Sequence, residues 1–233
     1  MAGRFVYWMN VSLDLFIDSK TGEHNDLEGP KWVRLSEQLH LEFNSRARAL
    51  SMMVQGRVVY EMMDPFWPDA RTDESLPAYA REFGEIWTSM PKVLVSRTRT
   101  TAGHNTRIIG GVGGVGAGNG DGDSRGGGAG AGDGAGGESG PGVAGNAIAQ
   151  LAELRQQTEG DIGIGGATLA TQLLQANLLD ELLLFTHPVV LGVGRPLFDT
   201  LDQPLAEPLQ LDLLEQRSFD LGVTMHRYAI RRV

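Results

Sequence analysis

The hydrophobic positions along this chain fall into two periods, and the switches between them outline its elements. Residues 4–13 alternate and are rich in β-formers, which predicts a first strand with the polar Asn10 and Ser12 near its end. Residues 30–48 place Trp32, Leu35, Leu39 and Phe43 close to the three-four spacing of a buried helical face. A short buried strand at 51–55 leads through Gly56 into a short helix carrying Arg57, Tyr60 and Glu61. Residues 75–89 read as another helix, with Tyr79, Phe83 and Trp87 four residues apart as core. Strands follow at 92–95 and 107–109, then a helix at 147–157. An apolar strand at 161–165 runs straight into a Gly-Gly turn and a helix over 168–177, where Leu169, Leu173 and Leu174 share a face, Thr171, Gln172 and Gln175 lie elsewhere, and Asn177 closes the end. A strand at 181–190 comes next. Residues 209–215 and 223–231 alternate on either side of Phe219-Asp-Leu-Gly222 and predict an antiparallel hairpin. The sum is a three-layer α/β sandwich with a mixed, mostly parallel sheet.

Composition narrows this picture. A chain of 233 residues suits a single domain over 1–233, interrupted at 110–145 by a tract made almost entirely of Gly, Ala, Asp and Ser. Such a tract buries too little apolar surface to offset its backbone entropy and reads as a flexible insertion. Gly111, Gly113 and Gly116 match a dinucleotide fingerprint there, but no amphipathic helix follows. Asn119, Asp121 and Asp123 resemble the opening of a calcium loop, yet Ser124 and Gly130 stand where the turn glycine and the bidentate Glu belong. A net charge of -9 opposes a broad nucleic-acid footprint. Without cysteine there is no disulfide framework and no thiolate metal site, and no metal ligand set is expected. The apolar start at 5–11 is too short and too polar for a signal peptide or a membrane span, so a cytoplasmic protein is the expectation.

The stretch richest in chemistry is Asp161-Ile-Gly-Ile-Gly-Gly-Ala-Thr168. Gly165 and Gly166 lack Cβ, so the backbone can take positive φ and approach a ligand closely, while the free N–H groups that open the next helix, around Ala167 and Thr168, point at it. Any strand-to-helix turn of an α/β domain shares part of this pattern.

Taken in order, Ser12-Leu-Asp14, Gly56-Arg-Val-Val-Tyr-Glu61, Val95-Ser-Arg-Thr98, Gly163-Ile-Gly-Gly-Ala-Thr168 and His187-Pro-Val-Val-Leu-Gly-Val-Gly-Arg-Pro-Leu-Phe198 resemble the dihydrofolate-reductase-like family. More closely, they resemble the C-terminal reductase domain of the bacterial riboflavin-biosynthesis deaminase-reductase. The resemblance omits only the glycine-rich tract. It implies the dihydrofolate reductase sandwich, NADPH as cofactor, and hydride transfer to a C=N bond or a ribosylamine-type carbon of a small-molecule substrate. It also implies a homodimer. With the first strand at the N-terminus and no zinc-binding cysteines, no deaminase domain is expected ahead of it.

The resemblance also assigns residues. Gly56 and Arg57, together with Ser96, Arg97 and Thr98, face the cofactor phosphates in the family. Two loops at strand ends, each with an Arg and small donors, suit a pyrophosphate and a ribose 2′-phosphate on physical grounds as well. Gly165, Gly166, Ala167 and Thr168 complete the cofactor set. Asp14, beside the expected nicotinamide, is the candidate catalytic residue, orienting substrate or relaying a proton if partial burial raises its pKa; the other reading is a turn aspartate that hydrogen-bonds its own backbone. Glu37 and Trp32 are weaker candidates for substrate contact. His187 reads as a satisfied structural histidine. Gly192, Gly194 and Arg195 form a turn bordering the site, with packing as its simplest role.

Three positions depart from the family pattern: Leu15 for a Gly, Val59 for a Thr, and Val193 for a Gly. The expected activity is that of 5-amino-6-(5-phosphoribosylamino)uracil reductase. A folate or pterin reductase, and a nucleotide-binding protein without turnover, are the alternatives. The apolar run 178–191 suits a core or an interface equally.

Overall fold

The structure, a computed structural model, describes residues 2–19, 24–25, 29–110, 141–199, 201, 205 and 207–232. Residues 111–140 of the glycine-rich tract, with both of its motif look-alikes, lie outside the described residues, while its last residues from Pro141 on already belong to a helix. In chain order the elements are β1 (Arg4–Val11), β2 (Phe16–Ser19), β3 (His24–Asn25), β4 (Gly29–Pro30), α1 (Glu37–Ala49), β5 (Leu50–Gly56), α2 (Arg57–Met63), α3 (Trp67–Ala70), α4 (Ala78–Ser89), β6 (Lys92–Val95) and β7 (Thr106–Ile109). They continue with α5 (Pro141–Gln157), β8 (Asp161–Gly165), α6 (Ala167–Gln175), β9 (Leu179–Thr186), β10 (Gly194–Pro196), β11 (Leu211–Ser218), a 3-10 turn (Asp220–Gly222) and β12 (Thr224–Ile230).

One eight-stranded sheet runs β11-β12-β9-β1-β8-β5-β6-β7. The six strands from β9 to β7 are parallel, and the terminal hairpin joins antiparallel through β12 on β9. This is the mixed, mostly parallel α/β sheet with a C-terminal antiparallel hairpin that the alternation predicts. Period two assigns the two faces of β1. Phe5 and Tyr7 join Ile162, Ile164 and helices α5 and α6 through Leu151, Leu169 and Leu173. Val6 and Trp8 turn the other way, toward Leu39 and Phe43 of α1. Helices on both faces make the three layers, and β1 is buried on both because it lies in the middle.

Several boundaries differ from the hydrophobic pattern, most of them for a local reason. The helix expected at 30–48 begins only at Glu37, because Ser36 caps it by accepting the Leu39 N–H at 3.2 Å. The preceding segment runs instead past His187, whose ring accepts the Arg34 N–H. Pro77 caps α4, which therefore starts at Ala78 rather than at 75. Helix α5 starts six residues ahead of the expected 147. Strand β9 stops at Thr186, two residues ahead of Pro188, which has no N–H to continue a ladder. Asn177 does close α6, at φ 55°, with Leu178 N–H reaching back to the Leu173 carbonyl. Thr171, expected away from the apolar face, is buried, and its hydroxyl accepts the Asp199 N–H.

At the N-terminal ends of the strands, Arg227 of β12 bridges Asp161 at 2.6 Å and Glu181 at 2.5 Å, tying β12 to β8 and β9. Lys92 opens β6 in a different setting. It is buried, and its ammonium donates to the Trp87 and Met90 carbonyls at the C-terminus of α4 and sits 4.9 Å from the Trp87 ring centroid. The helix dipole and the ring favour the cation, but burial outweighs them and pushes its pKa down to about 8. Between pH 8 and about 10.5 the unfolded chain therefore holds the extra proton, and stability rises with pH across that window. Replacing Lys92 by Met should remove this rise. Urea unfolding of both proteins from pH 7.5 to 10 checks it; parallel stability curves would show that Lys92 does not titrate with folding.

Candidate functional site

Parallel strands deliver their C-terminal turns to one edge of the sheet, and there the expected residues are brought together. Gln55 of β5 pairs with Gly165 of β8, and Gly56 pairs with Val95 of β6. The turns after β8, β5 and β6 are thus consecutive along the edge, about 10 Å from first to last at ordinary strand spacing. Gly166 is the N-cap of α6 at φ 107° and ψ 134°, with no side chain capping the helix. A Cβ at Gly166 would come 3.4 Å from Val59 and 4.0 Å from the Gly56 nitrogen, ordinary contact distances, so the two turns are neighbours and it is the positive φ that calls for glycine. Helix α2, entered through Gly56, likewise has no side-chain cap. By contrast α1 is capped by Ser36, whose Oγ accepts the Leu39 N–H. Free helix amides therefore converge where negative charge is favoured.

The cationic groups around these turns differ in availability. Arg57 is half exposed and paired with Glu61 at 2.6 Å. Arg97 is exposed and makes no hydrogen bond or ion pair with another described residue. Arg99, absent from the sequence-derived set, lies 3.7 Å from the same Glu61, has its guanidinium 5.9 Å from the Tyr60 ring centroid, and has a buried Nε without a partner. Its signal was the second Arg of Ser96-Arg-Thr-Arg99. Ser96 shapes this turn: its Oγ accepts the N–H groups of Thr98 at 3.3 Å and Arg99 at 3.0 Å, while Thr98 itself is exposed. Beneath the two glycine turns, buried Gln55 has an Oε1 with no partner, a second group that sequence reading passed over. Ala167 is buried and offers only its backbone. Thr168 also offers only its N–H, because its hydroxyl donates to Asp199 at 2.8 Å and accepts from Arg195 at 2.8 Å. Arg195, read from sequence as packing, in fact pairs with Asp199 at 2.8 Å.

The next two strands along the edge, β1 and β9, end in loops that are stitched together. Leu13 N–H donates to the Val189 carbonyl at 2.8 Å. Asp14 accepts from the Ser12 hydroxyl at 2.7 Å and from the N–H groups of Leu191 at 3.1 Å and Gly192 at 2.7 Å. The Ser12 hydroxyl and these amides hold its carboxyl below the usual range. The raised pKa expected of a proton relay is therefore not found. The direction is opposite, and the bonds to Leu191 and Gly192, far along the chain, are of a kind that neither reading expects: the carboxylate fastens two loops.

Leu15 occupies the left-handed region at φ 63°. Its N–H closes a turn onto the Ser12 carbonyl, and Phe16 N–H returns to Ser12 Oγ at 2.9 Å. Glycine is the usual residue at such a turn-bulge junction. A branched aliphatic there costs roughly 1–2 kcal/mol in backbone strain. His187 is buried; its Nδ1 accepts the Arg34 N–H at 3.2 Å, which leaves Nε2–H to donate to Asn10 Oδ1 at 3.1 Å. Burial, with the Arg34 charge adding to it, pushes the imidazole down to about 4. It is the satisfied structural histidine expected. Trp32 lies edge-on to it, ring centroids 5.6 Å apart. Glu37 is exposed at the start of α1.

With this geometry in view, comparison with known proteins bears out the resemblance. The family model described as the RibD C-terminal domain matches residues 146–225, about a third of the chain. The uncharacterized protein YyaP of Bacillus subtilis (strain 168) is 36% identical over 84 residues, which are 36% of this chain and 43% of that protein. The chain thus matches less than half the length of that curated relative. Among solved structures, RibD of Acinetobacter baumannii superposes with a TM-score of 0.60 at 14% identity, covering 99% of this chain and 58% of that one. Dihydrofolate reductase from Enterococcus faecalis, complexed with NADP(H) and RAB-propyl, gives a TM-score of 0.53 at 10% identity, over 100% of this chain and 99% of that one. The fold is that of the dihydrofolate reductase sandwich. Among the described residues no group of acidic or histidine side chains is arranged to hold a metal, and no helix is long and apolar enough to cross a membrane.

Two outcomes follow from the site's local physics. Leu15→Gly should raise stability by about 0.5–1 kcal/mol in urea unfolding, the relief of strain exceeding the added backbone entropy of the unfolded chain; a loss of stability would mean the Leu15 side chain is packed. His187 should keep one Nε2 proton and no charge at pH 6 in nitrogen-detected NMR, with stability falling as pH drops from 6.5 toward 4, where only the unfolded imidazole takes up a proton. An imidazolium at pH 6 would contradict the buried neutral assignment.

Proposed function

We propose that this chain, which resembles the RibD C-terminal domain, is an NADPH-dependent reductase that transfers hydride to a C=N bond or ribosylamine-type carbon of a small molecule. The observation that carries the reading is the uncapped Gly165-Gly166 entrance to α6, set beside the Gly56 and Ser96 turns on one sheet edge. NADPH supplies a hydride when bound. The chain's own residues bind and orient it. Amides around Gly166, Ala167 and Thr168 hold pyrophosphate at the positive end of α6. Arg97, free of protein partners among the described residues, reads the 2′-phosphate, with Arg57 and Arg99 held nearby by Glu61. The unpartnered Oε1 of Gln55 and the unpartnered Nε of Arg99 are buried polar atoms suited to a ligand or to water at this edge.

Asp14 acts as a positioning residue, holding the loop at 191–192 against the end of β1. The same reading makes the protein a cytoplasmic homodimer. Exposed Leu211, Leu213 and Leu214 on the edge strand β11 offer a second copy an apolar surface, which supports the dimer.

Cofactor-fluorescence titration tests this directly. The protein should bind NADPH more tightly than NADH, and Arg97→Ala should weaken NADPH about tenfold or more while leaving NADH nearly unchanged. Equal affinities in the parent protein would remove the 2′-phosphate assignment, and binding of neither dinucleotide would end the reductase reading.

A further inference from the structure

Four aliphatic side chains stand in water on the loops that end β1 and β9: Leu13 is 64% exposed, Leu15 49%, Val190 65% and Val193 54%. They are not scattered. The Leu13–Val189 backbone bond and the Asp14 clamp on Leu191 and Gly192 bind the two loops into one rim. Leu197 N–H donates to the Leu15 carbonyl, and two residues on Asp199 accepts from Thr168, so the rim adjoins the α6 N-terminus.

Sheet order assigns it a task. If the turns after β8, β5 and β6 take the dinucleotide, the turns after β1 and β9 are what the same edge leaves for the molecule to be reduced. Leu15 sharpens the point. It keeps a branched aliphatic at φ 63°, where glycine would relieve the backbone, and leaves half of that side chain in solvent. Strain and exposure together beside a set of ligand-facing turns are marks of a binding element. A phosphorylated sugar would meet little to hold it here. The first basic side chain beyond the loop after β9 is Arg195 of β10, and that is engaged by Asp199 and Thr168. Arg34, on the segment ahead of α1, is a second cation beside the rim, bonded through its N–H to His187, and its contribution is what an Arg34→Ala variant measures.

We infer that Leu13, Leu15, Val190 and Val193 set substrate choice, selecting an acceptor whose C=N carbon bears an uncharged apolar or aromatic substituent instead of a phosphoribosyl group. This rests on the reductase reading above. In the step, the hydride of NADPH bonds to the imine carbon, the C=N π pair moves to nitrogen, and nitrogen takes a proton from solvent, giving an amine and NADP+.

The test follows NADPH oxidation by the full chain with 2-phenyl-1-pyrroline, 2-methyl-1-pyrroline and 5-amino-6-(5-phosphoribosylamino)uracil, after NADPH binding has been measured separately. The phenyl imine should exceed the methyl imine about tenfold or more in kcat/KM, and the phosphoribosyl compound should be the poorest. Leu15→Gly and Val193→Ser should raise the KM of the phenyl imine several-fold with NADPH affinity unchanged, even though Leu15→Gly raises Tm, a combination that a purely structural role does not produce. Arg34→Ala should leave that KM unchanged. Preference for the phosphoribosyl compound, or no turnover of either imine by a protein that binds NADPH, overturns the inference and spares the cofactor reading. Failure to bind NADPH overturns both. If Leu13→Ser instead splits a dimer, the rim is an interface between copies and the inference falls.

Discussion

The parallel register of β9, β1, β8, β5 and β6 is the constraint on which the rest of the molecule depends. Parallel strands send every following turn to the same edge, and right-handed crossovers then lay helices over both faces. Backbone donors at Gly166, cations at Arg57, Arg97 and Arg99, and the aliphatic rim at Leu13 and Leu15 are far apart in the chain. They become neighbours only because hydrogen bonding fixes which strand lies next to which. The glycines matter for the same reason: Gly56 and Gly165 sit on adjacent strands, so their turns share one gap.

Electrostatics divide that edge into two parts. Over β8, β5 and β6 lie uncapped amides and three arginines, two of them, Arg57 and Arg99, held by Glu61, while Asp199 takes the Thr168 hydroxyl at the start of α6. Over β1 and β9 the polar groups are consumed internally: His187 by Arg34 and Asn10, Asp14 by Ser12, Leu191 and Gly192. What remains accessible on those loops is largely aliphatic. Charge recognition and apolar recognition are thus side by side but carried by different strands, an arrangement suited to a charged cofactor and a second, less polar molecule.

Stability is spent unevenly along the same edge. The core on both faces of β1 is well packed, and the terminal hairpin is tied to β8 and β9 through Arg227. Against this background Leu15 is held in a strained conformation, and Lys92 is buried without a carboxylate partner. Lys92 is at the opposite end of its strand and serves the α4 terminus. Leu15 serves no such local purpose, which distinguishes the two.

Much of the architecture was legible in residue order alone. Alternation in β1, the three-four spacing of α1 and α4, and the Gly-Gly entrance to α6 are local patterns, so the element types, the hairpin and the phosphate-seeking turns could be read without tertiary information. Boundaries at Ser36, Pro77 and Pro188 were less visible because capping and ladder termination depend on which atoms are at hand. What only the folded chain decided is the partner of each polar group. Asp14 in sequence suits a catalytic group or an aspartate bonded to its own backbone, and only the loop at 191–192 makes it a clamp; Thr168 is a free donor until Asp199 meets it, and Arg99 stands alone until Glu61 joins it to Arg57. Hydrophobic period is a property of neighbours in sequence, whereas hydrogen-bond partnership and pKa are properties of neighbours in space.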